Sequence, residues 1–342
     1  MNKKFLSVIV LLLAAVMLGS VSGVLAQGEL GSEENPIQVF FVPSVEAGVI
    51  TTGGEIMANA LEEATGLHFE VFVPTSYAAT IEAMCAAPDS SMGFIPANGY
   101  VLANRRCGVE VEAAAVRFGW PVYWGQILVR RDSDIFTLGD LEGKTWAYPD
   151  PGSTSGFLFP SVLLEENGVH PGEEIEAGGH GQAVLAVLRG DADFATTFFS
   201  PPLVPGAGWQ PGDLPEPYDL TVDESFITED GSALFVGDVR VLDARASVRD
   251  TAPDVVDQLR ILRITDPIPN DTLSFGPDFP EELRNEIVDA LIAFSETDAW
   301  NESIGNQDFY GWTSLAPVDD SNFDVVRQLI DTLGLTEDDI FG

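Results

Sequence analysis

The feature that most restricts the fold of this chain is the run Asp150-Pro151-Gly152-Ser153-Thr154-Ser155-Gly156. It joins a strand-like Thr145-Trp146-Ala147-Tyr148 to an apolar helix-like run ending at Gly168. A strand that turns through glycine and hydroxyl residues into a helix is an α/β unit. The start of such a helix offers unpaired backbone N–H groups and the positive end of the helix dipole. With three hydroxyls in a row, it reads as a seat for one small anion.

The composition makes that reading pointed. The sequence carries 16 basic and 54 acidic residues, for a formal charge of −38. A surface this acidic disfavours nucleic acid and anionic lipid heads, so an anion needs a specific reason to enter. Residues 1–26 have the pattern of a signal peptide: Lys3 and Lys4, an apolar run from Phe5 to Leu18, then Val24-Leu25-Ala26. The mature chain is expected to be exported and free of further membrane spans. In an oxidising compartment the two cysteines, Cys85 and Cys107, most simply form one disulfide. Two cysteines and His68, His170 and His180 show no metal-ligand spacing, so no metal or other cofactor is expected.

Strand and helix signals alternate. Ile37 to Val42, His68 to Val73, Ser91 to Ile95, Val111 to Val116 and Gly125 to Arg130 read as strands. Gly54 to Thr65, Thr80 to Ala87 and Tyr100 to Ala103 read as helices between them. The pattern restarts near Arg131. Further helices are expected at Gln182 to Arg189, Glu281 to Phe294 and Phe323 to Leu333, with strands at Ala192 to Thr197, Val239 to Leu242 and Leu259 to Thr265. Ser200 to Pro217 is rich in proline and glycine and reads as a surface insertion. Two α/β units joined by more than one crossing strand would enclose a cleft, where small ligands bind.

At this point a family likeness enters. Asp150 through Pro160 closely resembles the Ser-Thr-Ser-Gly signature of the phosphate/phosphite/phosphonate substrate-binding proteins of ABC transporters. Val73 to Ala79, Tyr123 to Val129, Gly178-Gly179-His180 and Ile268-Pro269-Asn270-Asp271 resemble that family in the same order, across residues 37–316. The resemblance implies a two-lobed type II periplasmic binding protein, each lobe a helix-flanked mixed β-sheet. Lobe 1 would comprise 34–129 and 269–342, and lobe 2 would comprise 130–268 with the insertion near 200–230. It implies a monomer that captures a small phosphorus oxyanion by clamshell closure and delivers it to a membrane permease. Ligand contacts carried over are Ser153, Thr154, Ser155, Gly156 and His180 from one lobe, Tyr77 and Tyr123 from the other, and Asp271, which matches a carboxylate that helps hold the ligand amine in the family's aminoalkylphosphonate binders. Aminoalkylphosphonate binders of the family carry an acid after the segment matching Ala195-Thr196-Thr197. Phe198-Phe199-Ser200-Pro201 has none, which leaves phosphonate, phosphite and phosphate.

Two expectations about the site's chemistry follow. The anion should be held by neutral dipoles alone, with no lysine or arginine in the pocket. His180, beside a dianion, should have a raised pKa, so that binding weakens as pH climbs. The alternatives are a same-fold binder of a sulfonate, a sensory partner of a membrane receptor, or a serine esterase. Against an esterase, Thr154 stands where a nucleophile elbow places serine, and no acid–histidine pair has triad spacing.

Overall fold

In the computed structural model the described residues are 28–206 and 208–334. The segment read as a signal peptide lies outside them. They build two six-stranded sheets and a small three-stranded one.

The first sheet opens with β1 (Ile37–Phe41), β2 (Phe69–Phe72), β3 (Ser91–Ile95) and β4 (Glu110–Val116), and gains β14 (Thr272–Phe275) and β15 (Ser314–Pro317) from the end of the chain. Its order is β15-β4-β14-β3-β1-β2. β1 runs parallel to β2 and β3, whereas β14 lies antiparallel between β3 and β4. Every residue of β3 is buried. That fits a central strand covered on both faces. The helices Ala47–Thr65, Tyr77–Ala86, Ala97–Cys107 and Glu281–Ser295 pack their apolar faces onto this sheet.

The second sheet has β5 (Val122–Arg130) between β12 (Leu259–Ile264) and β8 (Phe194–Phe199), followed by β6 (Thr145–Tyr148) and β7 (Glu173–Glu176). β5 was expected in the first lobe, which was drawn to end at residue 129. Its hydrogen bonds correct that: it pairs with β12 and β8 and with the short β13 (Ile268–Pro269). The chain therefore leaves the first sheet in the tight turn Arg117-Phe118-Gly119-Trp120, not after Val129. Phe118 at φ 51° and Gly119 at φ 84° are both left-handed, as in the turns that reverse a chain in two residues. For a phenylalanine that conformation costs about 1–2 kcal/mol, offset by the surrounding pairing. The return crossing runs through Ile268–Pro269 and Asn270. The Asn270 side-chain amide donates to the carbonyls of Ala115 and Trp120 at 2.8 and 2.9 Å, stitching the two crossings together.

The segment after Ser200 is mostly exposed from Leu203 to Leu214, as expected of a surface insertion, but it is anchored. Pro201 and Pro202 are buried, and Trp209 is 3% exposed within a ring cluster of Trp120, Trp124 and Phe199. Glu216 accepts from Arg131 at 2.5 Å, from Arg245 at 2.6 Å and from the Ile261 amide at 3.2 Å. The insertion is thus a surface segment pinned beside the second sheet by one aromatic and one acid. Among the described residues, no helix is long and apolar enough to cross a membrane.

Cys85 and Cys107 are bonded, with Cα atoms 5.6 Å apart, and join the helices Tyr77–Ala86 and Ala97–Cys107. The bond closes a loop of 22 residues. Reduction should lower stability by about 3 kcal/mol through the entropy regained by the unfolded chain. Urea unfolding of oxidised and dithiothreitol-treated protein measures this, and coincident midpoints would show that the bond contributes nothing.

Candidate functional site

The site is built where the end of β6 meets the two crossings. After Tyr148 the chain turns at Asp150, whose carboxylate accepts from the Gly152 amide at 2.7 Å and from the Tyr77 amide at 3.3 Å. The second contact reaches the first lobe, at the start of the helix Tyr77–Ala86. Burial holds the Asp150 carboxyl above its usual range, against the opposing pull of the two amides.

Ser153 caps the next helix, its hydroxyl accepting from the Gly156 amide at 3.1 Å. The helix opens with a wide π turn over Thr154–Leu158 and continues as an α-helix over Phe159–Glu166. Pro160 explains the widening: it has no N–H to give the Gly156 carbonyl. That carbonyl takes the Thr196 hydroxyl instead, and the Trp146 indole fixes Thr196 at 2.7 Å. The amides of Thr154 and Ser155, first in the helix, have no carbonyl of their own turn to bond.

Two glycines let this helix start sit where it does. A Cβ on Gly125 would lie 2.6 Å from the Ser155 carbonyl oxygen. A Cβ on Gly156 would lie 2.3 Å from the Pro149 ring. The helix start is therefore pressed onto strand β5, two residues past Tyr123.

Between the sheets lies a cavity of about 60 Å³. That is room for a few water-sized bodies, enough for a compact oxyanion. Six of the eight residues expected from sequence line it: Tyr77, Tyr123, Ser153, Ser155, His180 and Asp271. Thr154 and Gly156 do not. The Thr154 hydroxyl accepts from the Asn98 amide at 2.8 Å, a contact to the first lobe, and Gly156 serves packing and the cap. Tyr123 was expected to come from the lobe opposite the Ser-Thr-Ser turn. It stands instead at the start of β5, opposite Ile268, and so belongs to the crossing itself.

The lining groups are mostly neutral donors. Burial raises the phenols of Tyr77 and Tyr123, and nearby Asp150 and Asp271 raise them further, so both stay protonated. Tyr310 also faces the cavity, and burial raises its phenol as well. His180 lines the cavity and is buried. Burial, assisted by Arg117, lowers its pKa to about 3. Its Nδ1 accepts from the Phe198 amide at 3.3 Å, which leaves the proton on Nε2. His180 is a neutral donor.

The expectation of a pocket without arginine is also corrected. Arg117 and Arg249 both line the cavity. Arg117 is 8% exposed, and its Nη2 donates to Asp271 at 2.5 Å. Its guanidinium lies 5.3 Å from the Tyr123 ring centre. Arg249 spans the lobes in a two-pronged bond to Asp308 at 2.5 and 2.6 Å. The sequence signal for Arg117 was slight: it is one arginine after an apolar strand, and its partner stands 154 residues away. Among the described residues, no group of three or more His, Cys, Asp or Glu is placed to hold a metal ion.

Two α/β lobes, two crossings and an oxyanion-sized cavity between them define a type II periplasmic binding protein. The chain belongs to the family described as the periplasmic substrate-binding protein of phosphonate ABC transporters, whose model matches residues 39–323. It is 29% identical, over 86% of its length and 84% of the relative's, to a protein of Mycolicibacterium smegmatis named phosphate-import protein PhnD. In fold it is similar to a binding component of a phosphonate ABC transporter from Pseudomonas aeruginosa (TM-score 0.65, 20% identity, covering 86% of this chain and 85% of that one). It is equally similar to PhnD1 of Prochlorococcus marinus in complex with methylphosphonate (TM-score 0.65, 13% identity, covering 87% and 98%).

Two outcomes test this geometry. Gly125→Ala should displace Ser155 and destabilise the fold by about 1–3 kcal/mol, while a variant as stable as the parent would show that the contact yields freely. His180 takes up its proton near pH 6.5 when unfolded but only near pH 3 when folded. Its contribution is therefore intact above pH 6.5 and is lost as pH falls below that. Wild type should lose about 1.4 kcal/mol per pH unit relative to His180→Gln from pH 6.5 downward. Melting curves of both between pH 8 and pH 5 check the sign, and a constant difference would exclude it.

Proposed function

We propose that this protein captures a small tetrahedral phosphorus oxyanion (phosphonate, phosphite or phosphate) outside the cytoplasm and, as a monomer, presents it to an ABC permease. The observation that carries the reading is the convergence of Ser153, Ser155, Tyr77, Tyr123 and His180 on one cavity of about 60 Å³. Hydroxyls, a neutral imidazole Nε2–H and the free amides of a helix start suit the three oxygens of such a group. The names of the relatives support it, since they specify phosphate import in one case and a methylphosphonate complex in another.

Capture would proceed by closure. Tyr77 comes from the first lobe and the serine turn from the second, with Tyr123 and Arg117 at the crossing between them. A ligand touching all three stabilises the closed arrangement over the open one, and a permease would recognise that arrangement. An esterase reading loses support because His180 Nδ1 accepts a hydrogen bond from Phe198. A triad histidine must donate from that nitrogen to a carboxylate.

Calorimetry on ligand-stripped protein with phosphate, phosphite, methylphosphonate and sulfate tests the reading. We expect strong heat from at least one phosphorus ligand and little from sulfate. Ser155→Ala should weaken that binding at least about tenfold, or about 1.4 kcal/mol. An unchanged affinity in that variant would place the ligand elsewhere.

A further inference from the structure

The charges around the cavity say which substituent its guest can bear. Among the described residues three carboxylates line it: Asp243, Asp271 and Asp308. Each already holds an arginine. Asp308 takes Arg249 at 2.5 and 2.6 Å. Asp243 takes Arg245 through both oxygens at 2.9 Å, with Gln126 at 3.2 Å. Asp271 takes Arg117 at 2.5 Å.

The third pair differs from the others in where it stands. Arg117 begins the first crossing and Asp271 ends the second, so the pair sits in the hinge, with both members facing the cavity. Arg117 Nε is buried and has no hydrogen-bond partner among the described residues. The guanidinium also lies beside Tyr123, whose hydroxyl is within hydrogen-bonding reach of Ser155 and Thr154. It therefore stands between the carboxylate and the hydroxyl corner, with donor capacity left over.

A carboxylate at one end of a small enclosed cavity is, on its own, a seat for a cation. It would oppose a bare oxyanion and favour a guest that carries its own ammonium a few bonds from its acid group. Arg117 fills that seat with the protein's own charge. We propose that Arg117 is the specificity-determining residue of this site: by standing in for a ligand ammonium at Asp271, it restricts the cavity to phosphorus oxyanions whose substituent is uncharged. This rests on the binding reading above and names the ligand class within it. The Nε–H left over has a ligand oxygen as its natural acceptor.

The test is calorimetry on ligand-stripped wild type, Arg117→Met and Asp271→Asn, each titrated with methylphosphonate and with 2-aminoethylphosphonate, with melting curves to show that each variant is folded. Wild type should prefer methylphosphonate by at least about tenfold. Arg117→Met should cut that preference at least about tenfold or reverse it, because Asp271 is then free for the ammonium. Asp271→Asn keeps the arginine, and should keep the wild-type order. If wild type binds both ligands alike, or if folded Arg117→Met keeps the wild-type preference, the proposal is wrong while the binding reading stands. Should Arg117→Met not fold, Asp271→Asn decides alone: a switch of that variant toward the aminoethyl ligand refutes the proposal, and retention of the order upholds it. A wild type that binds no phosphorus ligand at all removes both the proposal and the reading beneath it.

Discussion

A missing amide hydrogen at Pro160 shapes the middle of this molecule. Without it the first turn of the helix opens to a π turn, and the Gly156 carbonyl must find another donor. Thr196 supplies one from strand β8, and Trp146 on β6 holds Thr196 in place. The helix start is thereby tied to two strands of the second sheet while it lies against a third through Gly125. A regular first turn, closed by its own bonds, would have no such tie. The serine turn, the crossing strand and Tyr123 thus form one positioned unit, and a hydroxyl shell needs that pre-organisation.

A chain with a formal charge of −38 must still receive an anion. Charges beyond about 8 Å are largely screened at physiological salt, so the acidic surface acts on approach more than on the bound state. At contact range each lining carboxylate is matched by an arginine, and three tyrosines stay protonated because burial disfavours their anions. A buried pair of this kind is weak evidence of stability, since desolvation offsets much of its attraction. Its value here is electrical: it cancels a negative charge that the site could not otherwise tolerate.

The alternation of strands and helices was legible because it depends on local pattern. Ser91–Ile95 and Thr145–Tyr148 form at the residues that their apolar runs mark. Where packing overrides pattern, the reading slipped. The helix expected from Gly54 begins at Ala47, because Gly53 and Gly54 are interior positions, each kept small by a neighbouring ring: Phe309 against Gly53, Phe41 against Gly54. Strand β5 read as a continuation of the first lobe, because only five residues, Arg117 to Pro121, separate it from β4. Of the site, the serine turn, His180 and the two tyrosines could be picked out from motif and order. Arg117 could not, since its role depends on Asp271 across 154 residues. Thr154 was carried over with its two serine neighbours from the family's signature, and a motif does not tell which hydroxyl lines the cavity. Only the fold shows that this one also accepts from the Asn98 amide and so joins the two lobes.

That hydroxyl shows how closure is balanced. Beside the shared ligand cavity, the lobes meet through polar contacts (Asn98 with Thr154 and Gly152, Tyr77 with Asp150, Arg249 with Asp308, and Arg240 with Gln307) and through Leu158 and Phe159, which are buried in the core of the first lobe. In water each such polar bond is worth only about 0.5–1.5 kcal/mol net, because the open form replaces it with solvent. These polar bonds therefore add little to the closed form by themselves. The packing of Leu158 and Phe159 into the first lobe's core adds an apolar contact that does not depend on a guest. The donors that converge on the cavity add the part that does, because a ligand touching both lobes stabilises the closed form over the open one.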